Sequence, residues 1–251
     1  MSRRSAASVA TEEISQFSRH AADWWNPEGS FRPLHKLNPI RLEYIRDQAC
    51  EHFGRNPESR HALKDLKILD VGCGGGLLAE PMTRMGGQVT GLDASEEGIT
   101  VARAHAKGSG LKIDYQVGSV EAWTRKKNRY DLITALEIVE HVADLESFIG
   151  CLTSLLQPNG LLIMSTLNRT PKSFLLGIVA AEYVLGWVPK GTHQWQKFLR
   201  PSELVGHLDD VELKTTDLTG MIFNPLRGEF QLSPSDLGVN YMLTAVRRPR
   251  G

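Results

Sequence analysis

Asp70-Val71-Gly72-Cys73-Gly74-Gly75-Gly76 is the stretch of this chain whose residue types and order are suited to chemistry, with Asp93 closing the next apolar run, Thr90-Gly91-Leu92-Asp93. An apolar segment, Lys67 to Val71, passes directly into clustered glycines and then into a helix-compatible stretch. That order puts bare backbone at the carboxyl end of a strand, where a nucleotide-type ligand can approach without side-chain obstruction. Dinucleotide sites carry G-x-G-x-x-G, because the third glycine lets helix and strand pack closely beside a pyrophosphate. Here Leu77 occupies that third place. Gly72 and Gly74 behind the acidic Asp70 suit a ligand that has no pyrophosphate. S-adenosylmethionine is such a ligand: its sulfonium and ammonium are cationic, and its ribose hydroxyls need an acceptor, which Asp93, about 20 residues downstream, supplies. A nicotinamide site or a plain tight turn is the alternative reading.

A second cluster, Leu136-Glu137-Ile138-Val139-Glu140-His141-Val142, falls at the carboxyl end of a later strand. Glu137, Glu140 and His141 are oxygen and nitrogen donors close together in sequence, compatible with a divalent cation. A helix-start capping arrangement explains the same spacing equally well. A neutral His141 would also serve as general base for a phenol, and a bound metal would reach the same end by lowering the pKa of the oxygen it holds. Arg41 lies ahead of the first strand. Solvation is the usual fate of such an arginine, but a preface folded over the ligand would let its guanidinium pair with a carboxylate. Cys73, within the glycine loop, reads as a small filler rather than a nucleophile. The loop Gly191-Thr192-His193-Gln194-Trp195 is either a pocket wall or a structural turn.

The elements that must hold these groups follow from periodicity. A helical preface is expected over Thr11 to Arg19 and, after the break at Trp24-Trp25-Asn26-Pro27, over Pro39 to Cys50. Strands then alternate with helices: strand Lys67 to Val71, helix Leu78 to Met85, strand Gln88 to Leu92, helix Ser95 to Lys107, strand Ile113 to Val117. Strand Tyr130 to Leu136, helix Asp144 to Leu156 and strand Leu161 to Thr166 after the Pro158-Asn159-Gly160 turn continue the series. Such alternation implies an α/β, doubly wound, mostly parallel sheet covered on both faces. A helix over Ser202 to Leu208 and strands Val211 to Asp217 and Tyr241 to Val246 would close it, for seven strands in all. The chain is read as one domain: a preface over 1–64, a ligand-binding core over 65–168, an apolar insertion over 169–200 and a closing part over 201–251.

Composition narrows the partners. Lys plus Arg and Asp plus Glu both number 29 in 251 residues, so no global field favours nucleic acid. The three cysteines are scattered without a C-x-x-C pair, against a disulfide framework or zinc site and in keeping with a reducing compartment. Met1 to Ala10 lacks the apolar core of a signal peptide. The expected location is cytoplasmic and bacterial-type, in preference to a mitochondrial matrix. Phe174 to Val188 is apolar but too short to span a bilayer, and Glu182 interrupts it. Flanked by Lys172 and Lys190 and carrying Tyr183 and Trp187, it reads either as a membrane-surface element or as a lid over the site. The basic run Arg125 to Arg129 is a solvated loop or a contact for anionic headgroups.

Several longer motifs bear a likeness to a known family. Trp24-Trp25-Asn26-Pro27-Glu28-Gly29, Leu37-Asn38-Pro39-x-Arg41, the glycine loop, Glu137-x-x-Glu140-His141-Val142, Ser165-Thr166-Leu167-Asn168-Arg169 and Pro189-Lys190-Gly191-Thr192-His193 closely resemble the ubiquinone-biosynthesis O-methyltransferases. The resemblance spans nearly the whole chain. It implies a Rossmann-like, class I methyltransferase fold and S-adenosylmethionine-dependent methylation of phenolic hydroxyls on polyprenylated catechol-type intermediates. It also implies that Arg41, Gly72, Asp93 and Leu136 contact the methyl donor, joining Asp70 and Gly74 of the loop. Glu137, Glu140 and His141 match a magnesium site described for some members. The apolar segment is associated in the family with membrane contact, so a peripheral position at the inner face of the membrane is expected, alongside other ubiquinone-biosynthesis enzymes. Gln194-Trp195 departs from the acidic residue that many relatives carry after the histidine. The rival expectations are a methyltransferase for another small acceptor and a membrane-associated scaffold that binds the donor.

Overall fold

The computed structural model describes residues 21–126, 128–175 and 195–247. Helix α1 (Arg32–Phe53) precedes strand β1 (Lys67–Val71). There follow α2 (Ala79–Arg84), β2 (Gln88–Asp93), α3 (Glu96–Gly108), β3 (Asp114–Val117), α4 (Val120–Trp123) and β4 (Tyr130–Leu136). After them come α5 (Leu145–Leu155), β5 (Leu156–Leu167), the short α6 (Pro171–Ser173), α7 (Pro201–Asp210), β6 (Leu213–Asn224), β7 (Glu229–Ser233) and β8 (Asn240–Arg247). The strands form one eight-stranded sheet in the order β3-β2-β1-β4-β5-β8-β6-β7. From β3 to β5 neighbours run parallel, and β8, β6 and β7 are added antiparallel. The chain leaves β1 in one direction and returns on its other side as β4, so the switch point lies between them, where ligands bind outside the strand ends.

The eighth strand corrects the expected count of seven. β6 runs on past Asp217 to Asn224 and turns at Gly228 (φ 68°) into β7. Asn224 Oδ1 accepts from Leu226 N (3.0 Å) and Arg227 N (3.3 Å), building the turn from side-chain oxygen. The alternation Met221, Phe223 and Phe230, Leu232 on either side was the available signal. β5 also begins earlier than expected: Leu156 already pairs with Tyr130, and the Pro158-Asn159-Gly160 residues form an irregularity before Leu132 meets Leu161.

α1 starts a full two turns before the expected Pro39. Pro33 takes the first helical turn, where a missing N–H costs nothing, and Pro39 lies inside the helix on its exposed side. An interior proline costs about 3 kcal/mol, offset here by burial of Leu37, Ile40, Tyr44 and Ile45 against the sheet. Gly54 ends the helix in the left-handed conformation at φ 63°. Further along the chain, Ser95 Oγ accepts from Gly98 N (3.0 Å) and Asp144 Oδ1 from Ser147 N (3.0 Å), capping α3 and α5 at about 1 kcal/mol each.

The sheet is buried on both faces. One core joins α1, α2 and α3 to Ile68, Leu132, Leu161, Ile163 and Met242. The other joins α5 and α7 to Leu69, Ile133, Leu162, Met164 and Leu243. Alternate residues of one strand serve opposite cores, as the pleat requires. That parity decides the geometry of the site.

Candidate active site

The glycine loop follows β1 and is stapled to the end of β2. Gly72 N donates to Leu92 O (2.8 Å), and Asp93 Oδ2 accepts from Gly74 N (2.8 Å) while its Oδ1 accepts from Ser95 N (2.8 Å). Asp93 therefore shapes the loop, with lone pairs remaining for a second acceptor role. Burial pushes its carboxyl above the ordinary value, against those backbone hydrogen bonds. Gly72 (φ 75°) and Gly76 (φ 88°) adopt a conformation that L side chains resist.

Gly74 and Gly75 are needed for a different reason from the one the sequence suggests. A β-carbon on Gly74 or on Gly75 would stand 2.4 Å from the Trp24 indole, so the space beside them is filled by the preface. Trp24 stacks on Phe31 at 3.7 Å between centroids, and Trp25 stacks on His105 at 3.5 Å. Trp25 Nε1 donates to Gly75 O (2.9 Å), Asn38 Nδ2 donates to Leu77 O (2.6 Å), and His35 Nε2 lies 2.9 Å from Trp24 O. His105 is itself held by the buried Glu80, with Nδ1 to Oε1 at 2.7 Å. The tryptophans, a simple break in sequence terms, are the clasp that fixes the preface to the loop.

That clasp brings α1 to the strand ends. Arg41 is 5 % exposed, and its Nη2 lies 3.1 Å from Glu137 Oε1. The contact has the distance of an ion pair without hydrogen-bond alignment, and neither Nε nor Nη2 has a hydrogen-bond partner. Two buried cationic donors thus lack an acceptor. Asp70, 3 % exposed, accepts from Thr134 Oγ1 (2.8 Å) at Oδ1, and its Oδ2 has no partner. Burial first, and the nearby Asp93 second, push its carboxyl up to about 7 despite the Thr134 bond and the Arg41 charge. Unpartnered buried groups each cost about 1–3 kcal/mol. Free donors on Arg41 and a free acceptor on Asp70 are complementary to the carboxylate and ammonium of an α-amino acid, and so to the methionine end of S-adenosylmethionine.

Leu136 ends β4 on the α1 side, packed against that core. Glu137 follows at φ 51°, left-handed for a non-glycine residue. Strain of this kind costs of order 1–3 kcal/mol and persists where surroundings impose it. Here Ser165 Oγ donates to Oε1 (2.7 Å), and Asn240 Nδ2 to both oxygens (3.2 and 3.4 Å). Glu140 instead accepts from Thr166 Oγ1 (2.8 Å) and is buried. Burial, then the Glu137 charge, raise its carboxyl to about 7, with His141 opposing. His141 ends a short turn, Val139–His141, and is half-buried.

Ser165 and Thr166 are consecutive in β5 and point to opposite faces of the sheet. They draw Glu137 towards α1 and Glu140 towards α5. Among the described residues no three acidic, histidine or cysteine side chains gather as a metal site. The residues expected to hold magnesium, Glu137, Glu140 and His141, are thus not gathered as one ligand set here, although Glu140 feels the charges of both Glu137 and His141. Cys73 is buried and its thiol is pushed up by burial, consistent with a filler. Lys126 of the basic run lies over the Trp123 ring at 3.7 Å from its centroid. Of the apolar segment only Phe174 and Leu175 are described, both exposed; the remainder, with Gly191 to Gln194 and the preface helix expected over Thr11 to Arg19, lies outside the described residues. Trp195 donates to Thr170 O (3.0 Å). No helix among the described residues is long and apolar enough to cross a membrane.

A glycine loop at the switch point of such a sheet, facing groups complementary to an amino-acid zwitterion, defines a Rossmann-like S-adenosylmethionine-dependent methyltransferase. Residues 41–218 match the family of methyltransferase domains. The fold is shared by magnesium protoporphyrin IX methyltransferase from Synechocystis with bound SAH (20 % identity, TM-score 0.63, covering 93 % of this chain and 95 % of that one). The plantazolicin methyltransferase BpumL shares it too, at 16 % identity and a TM-score of 0.62, covering 96 % of this chain and all of the other (100 %). Much nearer in sequence is the ubiquinone biosynthesis O-methyltransferase of Sinorhizobium fredii, 49 % identical over 98 % of this chain and 99 % of its own length. That of Dinoroseobacter shibae is 50 % identical over 95 % of this chain and 96 % of its own length. The chain belongs to the ubiquinone biosynthesis O-methyltransferase family.

Proposed function

We propose that the protein transfers a methyl group from S-adenosylmethionine to phenolic hydroxyls of polyprenylated catechol-type intermediates, 2-polyprenyl-6-hydroxyphenol and 3-demethylubiquinol, in ubiquinone biosynthesis. The carrying observation is near-full-length identity to relatives of that name, and the unpartnered groups of Arg41 and Asp70 support the choice of donor. The donor supplies a methyl on a sulfonium, open to in-line attack by oxygen. The chain supplies alignment and proton removal. Arg41 Nε and Nη2 would take the donor's carboxylate and Asp70 Oδ2 its ammonium, while Asp93, Gly72, Gly74 and Leu136 border the nucleoside. Holding two reactants in line contributes roughly 7–11 kcal/mol.

His141, four residues after Glu137, is the proposed acceptor of the phenol proton. Loss of a positioned base costs about 10²–10⁴ in rate, so His141→Ala should lower kcat by that factor and leave SAH affinity unchanged. The magnesium implied by the family likeness would fall on Glu137, Glu140 and His141. In this structure Ser165 and Asn240 bind Glu137 while Thr166 binds Glu140, and no step is routed through the ion. From the apolar composition of the run Phe174 to Val188, the enzyme is proposed to associate peripherally with the inner face of the cytoplasmic membrane, near its lipid-tailed substrate and other enzymes of the same biosynthesis. The decisive experiment incubates the purified protein with labelled donor and a short-tailed demethylated quinol, with and without EDTA. A labelled methoxy product is expected, and its loss in the EDTA arm would assign a metal to Glu137, Glu140 and His141. Donor binding without turnover would mark a scaffold instead.

A further inference from the structure

Asn240 opens β8 at the carboxyl edge of the sheet, opposite Leu167 of β5 and beside Met221 of β6. It is 7 % exposed. Its Nδ2 donates to both Glu137 oxygens, at 3.2 and 3.4 Å, while its Oδ1 is buried with no hydrogen-bond partner. Rotating the amide by half a turn would set Oδ1 against the carboxylate, so the orientation is dictated by Glu137. A neutral acceptor is thereby held open next to an anionic one, at the same strand ends as Arg41, whose Nη2 lies 3.1 Å from Glu137 Oε1.

We infer that Asn240 is a specificity-determining residue that reads a second hydroxyl, adjacent to the one being methylated. This deepens the proposed function and rests on it, because both proposed acceptors carry vicinal hydroxyls. The division of labour follows from basicity. An amide oxygen accepts a hydrogen bond but does not remove a proton, so it suits the hydroxyl that stays protonated. Glu137, which it touches, and the proposed base His141 suit the one that reacts. A site built to bind a hydroxyl rejects the analogue that lacks it, since the buried acceptor is then left empty.

The test measures dissociation constants of a short-tailed catechol and of the matched monophenol, each in the ternary complex with SAH. Wild type should prefer the catechol by about 5- to 150-fold, the range for one well-made buried hydrogen bond. Asn240→Ala should bring that ratio to near one while the SAH constant stays within about twofold, as expected for groups on the donor side left intact. Asn240→Leu, close to asparagine in size and without an acceptor, provides the same readout should the alanine variant fold poorly. Ser165→Ala removes the other donor to Glu137 and should weaken both phenols alike, leaving the ratio at its wild-type value. A wild-type ratio in the Asn240 variants overturns the inference, even where overall affinity falls, because that is the signature of positioning through Glu137. Failure of the broader reading looks different: wild type would then bind neither phenol and form no methoxy product.

Discussion

Asp70 provides the sharpest test of the donor site. It is buried, one oxygen is bonded to Thr134 and the other is unpartnered, and its carboxyl is pushed up to about 7, mainly by burial. In the free protein at pH 5.5 it is therefore almost fully protonated. An arriving ammonium favours the carboxylate, so binding must expel that proton. For a free-state value of about 7, proton release should be close to one at pH 5.5 and about one half at pH 7, and affinity should be roughly 15-fold weaker at the lower pH. Titration calorimetry of SAH binding in buffers of different ionisation enthalpy counts the protons directly. Asp70→Asn keeps the size and an oxygen for Thr134 but removes the charge. It should abolish the release and weaken binding at pH 7 by about 1.5–3 kcal/mol, roughly 10- to 150-fold. Glu140 titrates in the same range. Undiminished release in Asp70→Asn would assign the proton elsewhere and refute the role of Asp70.

Three further outcomes follow from the geometry. Gly75→Ala drives a β-carbon to 2.4 Å from Trp24, and overpacking of that kind costs about 1–3 kcal/mol; thermal denaturation should show the loss, and a Trp24→Leu background should reduce it. Tyr44 Oη donates to Asp217 (2.7 Å) and meets Thr244 (2.8 Å) between α1 and the antiparallel strands, so Tyr44→Phe should lower stability to urea by about 1–3 kcal/mol without changing SAH affinity. Glu140 keeps its proton up to about 7, whereas the unfolded chain loses it near the ordinary carboxylate value. Between those values the folded state holds more protons, so stability is greatest at the acid end and falls as pH rises through about 7. Glu140→Gln should flatten that fall in a series of melting curves, and an unchanged slope would show that Glu140 is not its source.

Much of this was readable before any coordinates. The alternation of mainly apolar runs with amphipathic helices located β1, β2 and β4 to within a residue, because a strand buried on both faces writes a mainly apolar run, and after β1 the glycine cluster marks its end. Asp70 and Gly72 stand out because the glycine loop is continuous in the chain, whereas Asp93 meets that loop only because β2 pairs with β1. Where the partner is distant in sequence, residue order is silent. Nothing near Asn240 or Ser165 hints that they converge on Glu137, and nothing near Trp24 says that Gly74 and Gly75 exist partly to receive it. Spacing is also incomplete. Glu137, Glu140 and His141 look like neighbours in a list, yet β5 binds one acid through Ser165 and the other through Thr166, and a pleated strand turns consecutive side chains to opposite sides. Strand pairing, a long-range property, thus decides which groups meet, while the local pattern decides only which strands there are to pair.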